Sequence, residues 1–364
     1  MMDGPRIVIV MPRRMHFGPA RAGSIDLTVR DFVRFSRFRD SITVVAEEIA
    51  EPYPDIAVAM HRPGDARDRL ATIRSLAPDL ILAQQVVPVA SRLAAAFPSV
   101  PVVVHRHNRT RAGGRPFWRW RHARRLRRLA RIVHVSDFCT DDFKRLWPEF
   151  AARAATVHNG VDSVLVRPAP WEAREKIVAF AGRADPNKGA LELARALALV
   201  LPAAPPGWRA RLCLAYPARR PEYAAAVESA VASVRDRVDI VPDAPFDDVV
   251  DLFSRAAVAV TPTVGEEAFG RTALEAMLGG AALVSATCGG LSEVVGQAAL
   301  RVDPVTPESL ASALTRALAD APLRRRLGES GRKRAESLFD IRRVAREMDE
   351  ILAETLSERP AAPR

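Results

Sequence analysis

Four charged side chains in the second half of the chain have the types and spacing to do chemistry. Glu267 stands in a glycine-containing loop, Thr263 to Gly270, and Glu275 lies eight residues further on, inside a helical segment from Arg271 to Leu278 that stops at Gly279-Gly280. This spacing puts one carboxylate at the loop tip and the other about two turns into the helix, so both can face one pocket. A carboxylate accepts paired hydrogen bonds from vicinal hydroxyls, as on a ribose or a hexose. The amides of Phe269 and Gly270, at the helix N-terminus, suit a phosphate. Arg183 and Lys188 flank a second glycine-bounded loop at a helix start, where two cations form a cradle for a diphosphate. Taken singly, a pair of glutamates or an Arg/Lys loop is more often a solvated surface feature. Their joint occurrence favours a ligand site.

Strands and helices must aim these loops. The run Val258-Ala259-Val260 reads as a buried strand ahead of Glu267, and Ala282–Ala286 as another, leading to Gly289-Gly290 and Glu293. Ile177–Ala181 precedes the Arg183 loop, and strands Ala210–Ala215 and Val238–Val241 alternate with helices Ala190–Leu201, Pro221–Val234 and Asp247–Arg255. From Pro307 the chain reads as helical, ending in Arg342–Leu356. The first half follows the same alternation, with strands Ile7–Met11, Ile42–Ala46, Leu80–Ala83, Val100–Val104, Ile132–Val135 and Ala155–His158. Its helices are Ile25–Phe38, Asp65–Leu76, Val89–Ala96 and Thr140–Leu146. Alternating strands and helices predict parallel sheets covered on both faces, with ligands at the carboxyl ends of the strands. No GxGxxG occurs, which argues against a dinucleotide fold of the dehydrogenase type. One strand end carries His105-Arg106-His107-Asn108, where either histidine could face a ligand or bond locally.

Three segments carry a family resemblance. The stretch Glu267-Ala-Phe-Gly-Arg-Thr-Ala-Leu-Glu275, followed by Gly289-Gly290-Leu291-Ser292-Glu293, resembles the Glu-x7-Glu signature of retaining glycosyltransferases of the GT-B fold, family 4 (glycosyl transferases group 1). Gly182-Arg183-Ala-Asp-Pro-Asn-Lys188-Gly189 resembles that family's pyrophosphate loop, and His158-Asn159-Gly160-Val161-Asp162 its domain-junction segment. The resemblance is strong over about residues 130–340 and thinner before. It implies an α/β chain of two Rossmann-like doubly wound parallel-sheet domains facing a central cleft. Residues 1–168 would form an acceptor-binding domain and 169–341 a nucleotide-sugar-binding domain, the linker falling at Pro168 and Pro170. Helix 342–356 would pack back onto the first domain, and residues 357–364 would be a disordered tail.

The resemblance also implies roles. Arg183 and Lys188, with the Phe269 and Gly270 amides, would hold the donor diphosphate, and Glu275 the ribose. Glu267, on the donor-sugar hydroxyls, and His107, which matches the family's histidine better than His105, would be the catalytic residues. Gly18, Gly23 and Ser24 stand where the family has a glycine pair near acceptor and donor phosphate, a loose match because Pro19 intervenes. In the family a departing phosphate oxygen takes the acceptor proton on the same face, so no protein nucleophile is needed. No Asp-x-Asp is present, so a catalytic metal is not indicated, and no cofactor is implied beyond a UDP- or GDP-linked sugar as donor.

Composition is that of a globular chain: 364 residues, 48% hydrophobic and 27% charged, enough for two or three domains. Three scattered cysteines form neither a disulfide framework nor a zinc pattern, pointing to a reducing cytosol. No apolar run approaches the length of a membrane span or signal peptide, so a soluble protein is expected. The net charge of +11 is lopsided: residues 1–170 hold 28 Lys/Arg against 16 Asp/Glu, and residues 171–364 hold 26 against 27. Eight arginines and no acid lie between Arg115 and Arg131, with Trp118, His122, Leu126, Leu129 and Val133 at helical spacing along one side. This is either a packing helix with an arginine outer face or a basic amphipathic surface for anionic lipid, with Trp118, Arg119, Arg124 and Arg128 as the contacts. Nucleic acid is not indicated, since no recognition motif accompanies the arginines.

The expected activity is transfer of a sugar to an anionic glycolipid or polyprenyl-linked acceptor, as in lipopolysaccharide or exopolysaccharide assembly. The place is the cytoplasm, with peripheral association on the inner face of the cytoplasmic membrane. Rival readings are a GT-B nucleotide-sugar epimerase, a phosphorylase, which would show a pyridoxal lysine and a longer chain, and a non-catalytic membrane-surface binding protein.

Overall fold

The computed structural model describes residues 4–15, 17–19, 23–110 and 116–358. The chain divides into two units: residues 1–160 with 341–364, and residues 161–340. The first crossing lies ahead of Pro168 and Pro170, where the sequence placed the linker. The tail from 359 onward, with residues 20–22 and 111–115, lies outside the described residues.

Unit 1 is built on seven strands: β1 Ile7–Val10, β2 Ile42–Glu47, β3 Val58–His61, β4 Leu80–Gln84, β5 Val102–Arg106, β6 Arg131–His134 and β7 Ala154–Thr156. All pair in parallel, in the order β3-β2-β1-β4-β5-β6-β7. Strands buried on both faces read as continuous apolar runs, and Ile7-Val8-Ile9-Val10 is buried throughout. Alternation then splits them: Ile7, Ile9, Leu82 and Val103 enter one core, and Val8, Val10, Ile81, Val102 and Val104 the other. The first core is closed by helix Ser24–Phe35 and by the C-terminal helix Ile341–Ser357, whose Val344, Ala345, Met348 and Leu352 are buried in it.

Unit 2 has six parallel strands: β8 Glu175–Arg183, β9 Arg209–Ala215, β10 Val238–Pro242, β11 Ala256–Thr261, β12 Ala282–Ala286 and β13 Ala299–Val302. Their order is β10-β9-β8-β11-β12-β13. The chain winds outward from β8 in one direction and from β11 in the other, so the order reverses between these two strands. Such a reversal leaves a crevice at the carboxyl ends of the two central strands. The doubly wound α/β class expected from the alternation of elements is present in both units.

Several elements differ from the sequence reading. Strands β3 and β13 carry no long apolar run and were not expected; both lie at sheet edges. The first long helix ends at Phe35 rather than Phe38, because Ser36 Oγ (2.5 Å) and the Arg37 amide (2.8 Å) donate to the Asp349 carboxylate, drawing the chain out of helical register. The arginine-rich helix spans Pro116–Leu126, so Leu129 follows it and Val133 belongs to β6, not to its apolar side. The Arg153 guanidinium donates to the carbonyls of Arg127 (3.1 Å) and Leu129 (3.0 Å), fixing the turn after this helix.

Candidate functional site

The crevice of unit 2 is lined by three loops that bind one another. The first leaves β8 at Arg183 and makes a short turn, Pro186–Lys188, capped by Asp185, whose carboxylate accepts from the Asn187 amide at 3.0 Å. Gly189 then turns left-handed (φ +69°) to start helix Ala190–Val200. A Cβ at Gly189 would lie 1.9 Å from the Pro262 carbonyl oxygen, so only glycine lets this loop dock against the end of β11. The second loop, after β11, is held to the first by the Val264 amide, which donates to the Asn187 carbonyl at 3.0 Å. The third follows β12 and ties to the second through the Gly290 amide, which donates to the Glu267 carbonyl at 2.8 Å.

This scaffold brings Lys188 and Glu267 together. The Lys188 ammonium donates to a Glu267 carboxylate oxygen, with 26% and 19% of the two side chains exposed. The sequence set them in separate loops, for diphosphate and for sugar; their direct pairing is new. Arg183, at the end of β8, is exposed. Beyond Glu267, Phe269 is buried with its ring edge-on to Phe339, centroids 5.6 Å apart. Gly270 (φ +105°) then opens helix Arg271–Leu278. That left-handed backbone is what calls for glycine at the point where this helix end packs on Leu291 of the third loop.

Glu275, expected about two turns into the helix, lies one turn in and is not solvated. Its carboxylate is buried and accepts from Arg271 Nε at 2.8 Å, one helical turn apart. Sequence reasoning passed over Arg271, although the i,i+4 spacing from Glu275 was there to find it. The Arg271 guanidinium holds that carboxylate in one orientation, as a hydroxyl acceptor must be held.

In unit 1 the order reverses between β1 and β4, and the groups at that edge are amides and imidazoles. Gln85 adopts a left-handed φ of +65° just past β4 and accepts the His107 amide on its side chain at 2.8 Å. The His107 Nε2 meets Gln84 Oε1 at 2.8 Å, and the His105 and His107 rings lie 4.4 Å apart. Burial holds His105 at about 4, and burial, then the neighbouring His105 and Arg106 charges, hold His107 well below the usual histidine range. Both imidazoles are therefore neutral at physiological pH. His105 turns inward, onto an apolar cavity walled by Val29, Phe32, Leu82, Val344 and Met348. His107 makes the polar contacts.

A Cβ at Gly18 would overlap the Glu51 carbonyl, and the Gly23 amide donates to Asp26 at 2.7 Å. Ser24 begins the helix and is exposed. In the junction segment, buried Asn159 accepts from Thr28 Oγ1 at 3.3 Å, and Gly160 admits the backbone of Ile341. On the arginine-rich helix, Trp118 stacks on His122, while Phe117 (69%) and Trp120 (54%) are exposed together with Arg119, Arg124 and Arg128. Arg115 lies outside the described residues. Among the described residues no helix is long and apolar enough to cross a membrane.

The family model described as Glycosyltransferase Family 4 matches residues 20–164, and that described as Glycosyl transferases group 1 matches residues 175–320. The chain is 26% identical over 256 residues to the putative glycosyltransferase YtcC of Bacillus subtilis, covering 64% of this chain and 62% of that protein. It is 28% identical over 236 residues to the MMP alpha-(1->4)-mannosyltransferase of Mycolicibacterium hassiacum, covering 60% of this chain and 53% of that protein. The chain thus spans 53 to 62% of the length of these relatives. Among solved structures, Anabaena HepE in complex with UDP and glucose superposes with a TM-score of 0.78 at 19% identity, over 96% of this chain and 100% of that one. At that identity the match speaks for the fold.

Proposed function

From a chain that belongs to the GT-B glycosyltransferases of family 4, the glycosyl transferases group 1, we propose a retaining enzyme that moves a sugar from a nucleoside-diphosphate donor to an acceptor. The observation that carries this reading is the set of linked loops at the β8/β11 reversal, which joins Lys188 to Glu267 beside the start of helix Ala190–Val200.

In this assignment Lys188, Arg183 and the amides at the two helix starts take the donor diphosphate. Glu275, held in place by Arg271, takes the ribose hydroxyls, and Glu267 those of the donor sugar. As the bond to the diphosphate breaks, negative charge grows on its oxygens and positive charge on the sugar ring. Cations and helix-end dipoles fixed in place stabilise that charge without reorganising. The departing oxygen takes the acceptor proton on the same face, so configuration is kept. His107, neutral and positioned by Gln84 and Gln85, is assigned to a hydroxyl, which it serves as a hydrogen-bond partner rather than as a cation. The donor is UDP- or GDP-linked and no metal takes part.

Unit 1 is assigned the acceptor. The surplus of positive charge and the exposed Phe117 and Trp120 beside Arg119 and Arg124 support an anionic, lipid-held acceptor and peripheral binding to the cytoplasmic membrane face. A panel of nucleotide sugars read by thermal stabilisation and donor hydrolysis tests the reading. A cognate donor at 100 times its Kd adds about 2.7 kcal/mol of stability. If no nucleotide sugar stabilises or is consumed, the assignment as a transferase of this kind is wrong.

A further inference from the structure

We propose that Arg106 binds a phosphoryl oxyanion at the carboxyl edge of the unit 1 sheet, and that the acceptor carries this group. Only the source of the phosphate rests on the reading of unit 1 as the acceptor side; the binding site does not.

The surroundings of Arg106 are unusual in charge. Between Leu80 and Ser136 the chain has twelve arginines, four histidines and not one Asp or Glu. Arg106 closes β5 and follows the alternation of Val102 and Val104, on the face covered by helices Pro116–Leu126 and Asp137–Leu146. One terminal nitrogen, Nη1, donates to the Gln85 carbonyl, and Gln85 holds a left-handed backbone to present it. Nε is buried and has no hydrogen-bond partner. The Nε–Nη2 edge is the fork that takes two oxygens of one oxyanion at once. Among the described residues no carboxylate meets it, and residues 111–115, Arg-Ala-Gly-Gly-Arg, could supply none.

Asp142, on one of the helices covering that face, is held by Arg109 and Arg145. Burial, with the Arg106 charge as the next cause, holds His122 at about 4 and His134 at about 3. Both are neutral at pH 7, and Arg106 itself, drawn down by burial to about 10, stays charged. A half-buried cation, without a carboxylate and with one buried donor unused, destabilises a fold that could have placed glutamine there. It is retained at a strand end, where ligands of such sheets bind. A phosphate ester supplies what the fork lacks: two adjacent oxygens and negative charge.

The test is a titration of the full-length protein with inorganic phosphate, following the histidine ring resonances by NMR. The Lys188→Ala background is used to weaken phosphate binding at the unit 2 loops, and both reporter histidines belong to unit 1. His122 and His134 should shift saturably, since an anion on Arg106 offsets the charge that both feel. In Arg106→Gln the shifts should vanish while the unfolding temperature stays at or above that of the parent. Arg106→Lys, which keeps charge but loses the fork, should bind about tenfold more weakly. No shift in the parent, the same shift in Arg106→Gln, or unchanged affinity in Arg106→Lys overturns the proposal. Glycerol 3-phosphate in solution, and vesicles of phosphatidic acid against phosphatidylcholine, then compete with inorganic phosphate. Competition by the soluble ester alone, or by phosphatidic acid alone, names the carrier, and competition by neither removes the phosphate-ester acceptor. Sugar transfer is not read in any arm, so failure here and failure of the glycosyltransferase reading are separate results.

Discussion

Replacing Glu267 by glutamine should tighten the binding of bare nucleoside diphosphate while slowing sugar transfer. The Lys188 ammonium is already occupied by the Glu267 carboxylate, so a diphosphate has to compete for it. With 26% and 19% of the side chains exposed, the pair is less screened than a surface pair. It still falls short of the fully buried kind whose disruption costs about 3–5 kcal/mol. Exposed pairs give about 0.2–1 kcal/mol, so about 1 kcal/mol is a fair figure here, at the upper end of that range. Removing the competitor should then strengthen UDP or GDP binding about fivefold. Glutamine keeps the size and the hydrogen-bonding capacity but not the charge, so the loop should stay in place. Calorimetric titration of both variants at 0.1 M and 1 M salt is the assay, and the gain should shrink at high salt as the Debye length falls from about 10 Å to about 3 Å. A double-mutant cycle with Lys188→Ala isolates the pair. If Glu267→Gln binds UDP and GDP no better than wild type, or if the gain survives without Lys188, the competition does not exist.

Lys188→Ala and Arg183→Ala should each weaken nucleoside-diphosphate binding with the unfolding temperature nearly unchanged; wild-type transfer rates in both would dissolve the diphosphate assignment. Product analysis by NMR should show the donor's anomeric configuration retained, with chelator leaving the rate unaltered, and an inverted product would refute the mechanism. Met348→Ala or Leu352→Ala in the C-terminal helix should cost about 2–5 kcal/mol, read by denaturant unfolding, because both side chains are buried in the unit 1 core. Asp26, at the start of the first long helix, is raised by burial to about 7, against a slight lowering by the Gly23 amide. Its folded pKa thus lies above its unfolded value, so its contribution is whole below about pH 4 and drains away as pH rises to 7. Asp26→Asn should therefore raise the unfolding temperature at pH 8 and leave it unchanged at pH 4; an equal effect at both would rule out the titration.

The loops that carry the chemistry were legible because their signals are local. Glycine at fixed offsets, a cation or carboxylate, and an apolar run before them all sit within a dozen residues. Strands β3 and β13 were not legible for the complementary reason. Val58-Ala-Met-His is only partly buried, so its residues answer to neighbours in space rather than to a hydrophobic pattern. The Lys188–Glu267 pair joins residues in separate loops, and nothing in the sequence says that the turn at Gly189 brings them into contact. Arg106 illustrates the same limit from the other side. In a run so rich in arginine, one guanidinium with a buried, unpartnered nitrogen looks like the others, and only the alternation along β5 shows that it turns inward.

The chain leaves unit 1 after Gly160 and re-enters it at Ile341. Unit 2 is therefore one uninterrupted stretch, whereas unit 1 is assembled from both ends of the chain. This sets an order during synthesis, which proceeds from the N-terminus. When Asp340 has left the ribosome, unit 2 has everything it needs to fold. Unit 1, begun first, still lacks the helix that covers Val29, Phe32 and Leu82, and it waits with that apolar face open until Leu352 arrives. The half of the protein made first is thus the half completed last. A ribosome stalled within the final helix would hold a finished unit 2 beside an unfinished unit 1, the state in which this chain is most exposed to chaperones and to aggregation.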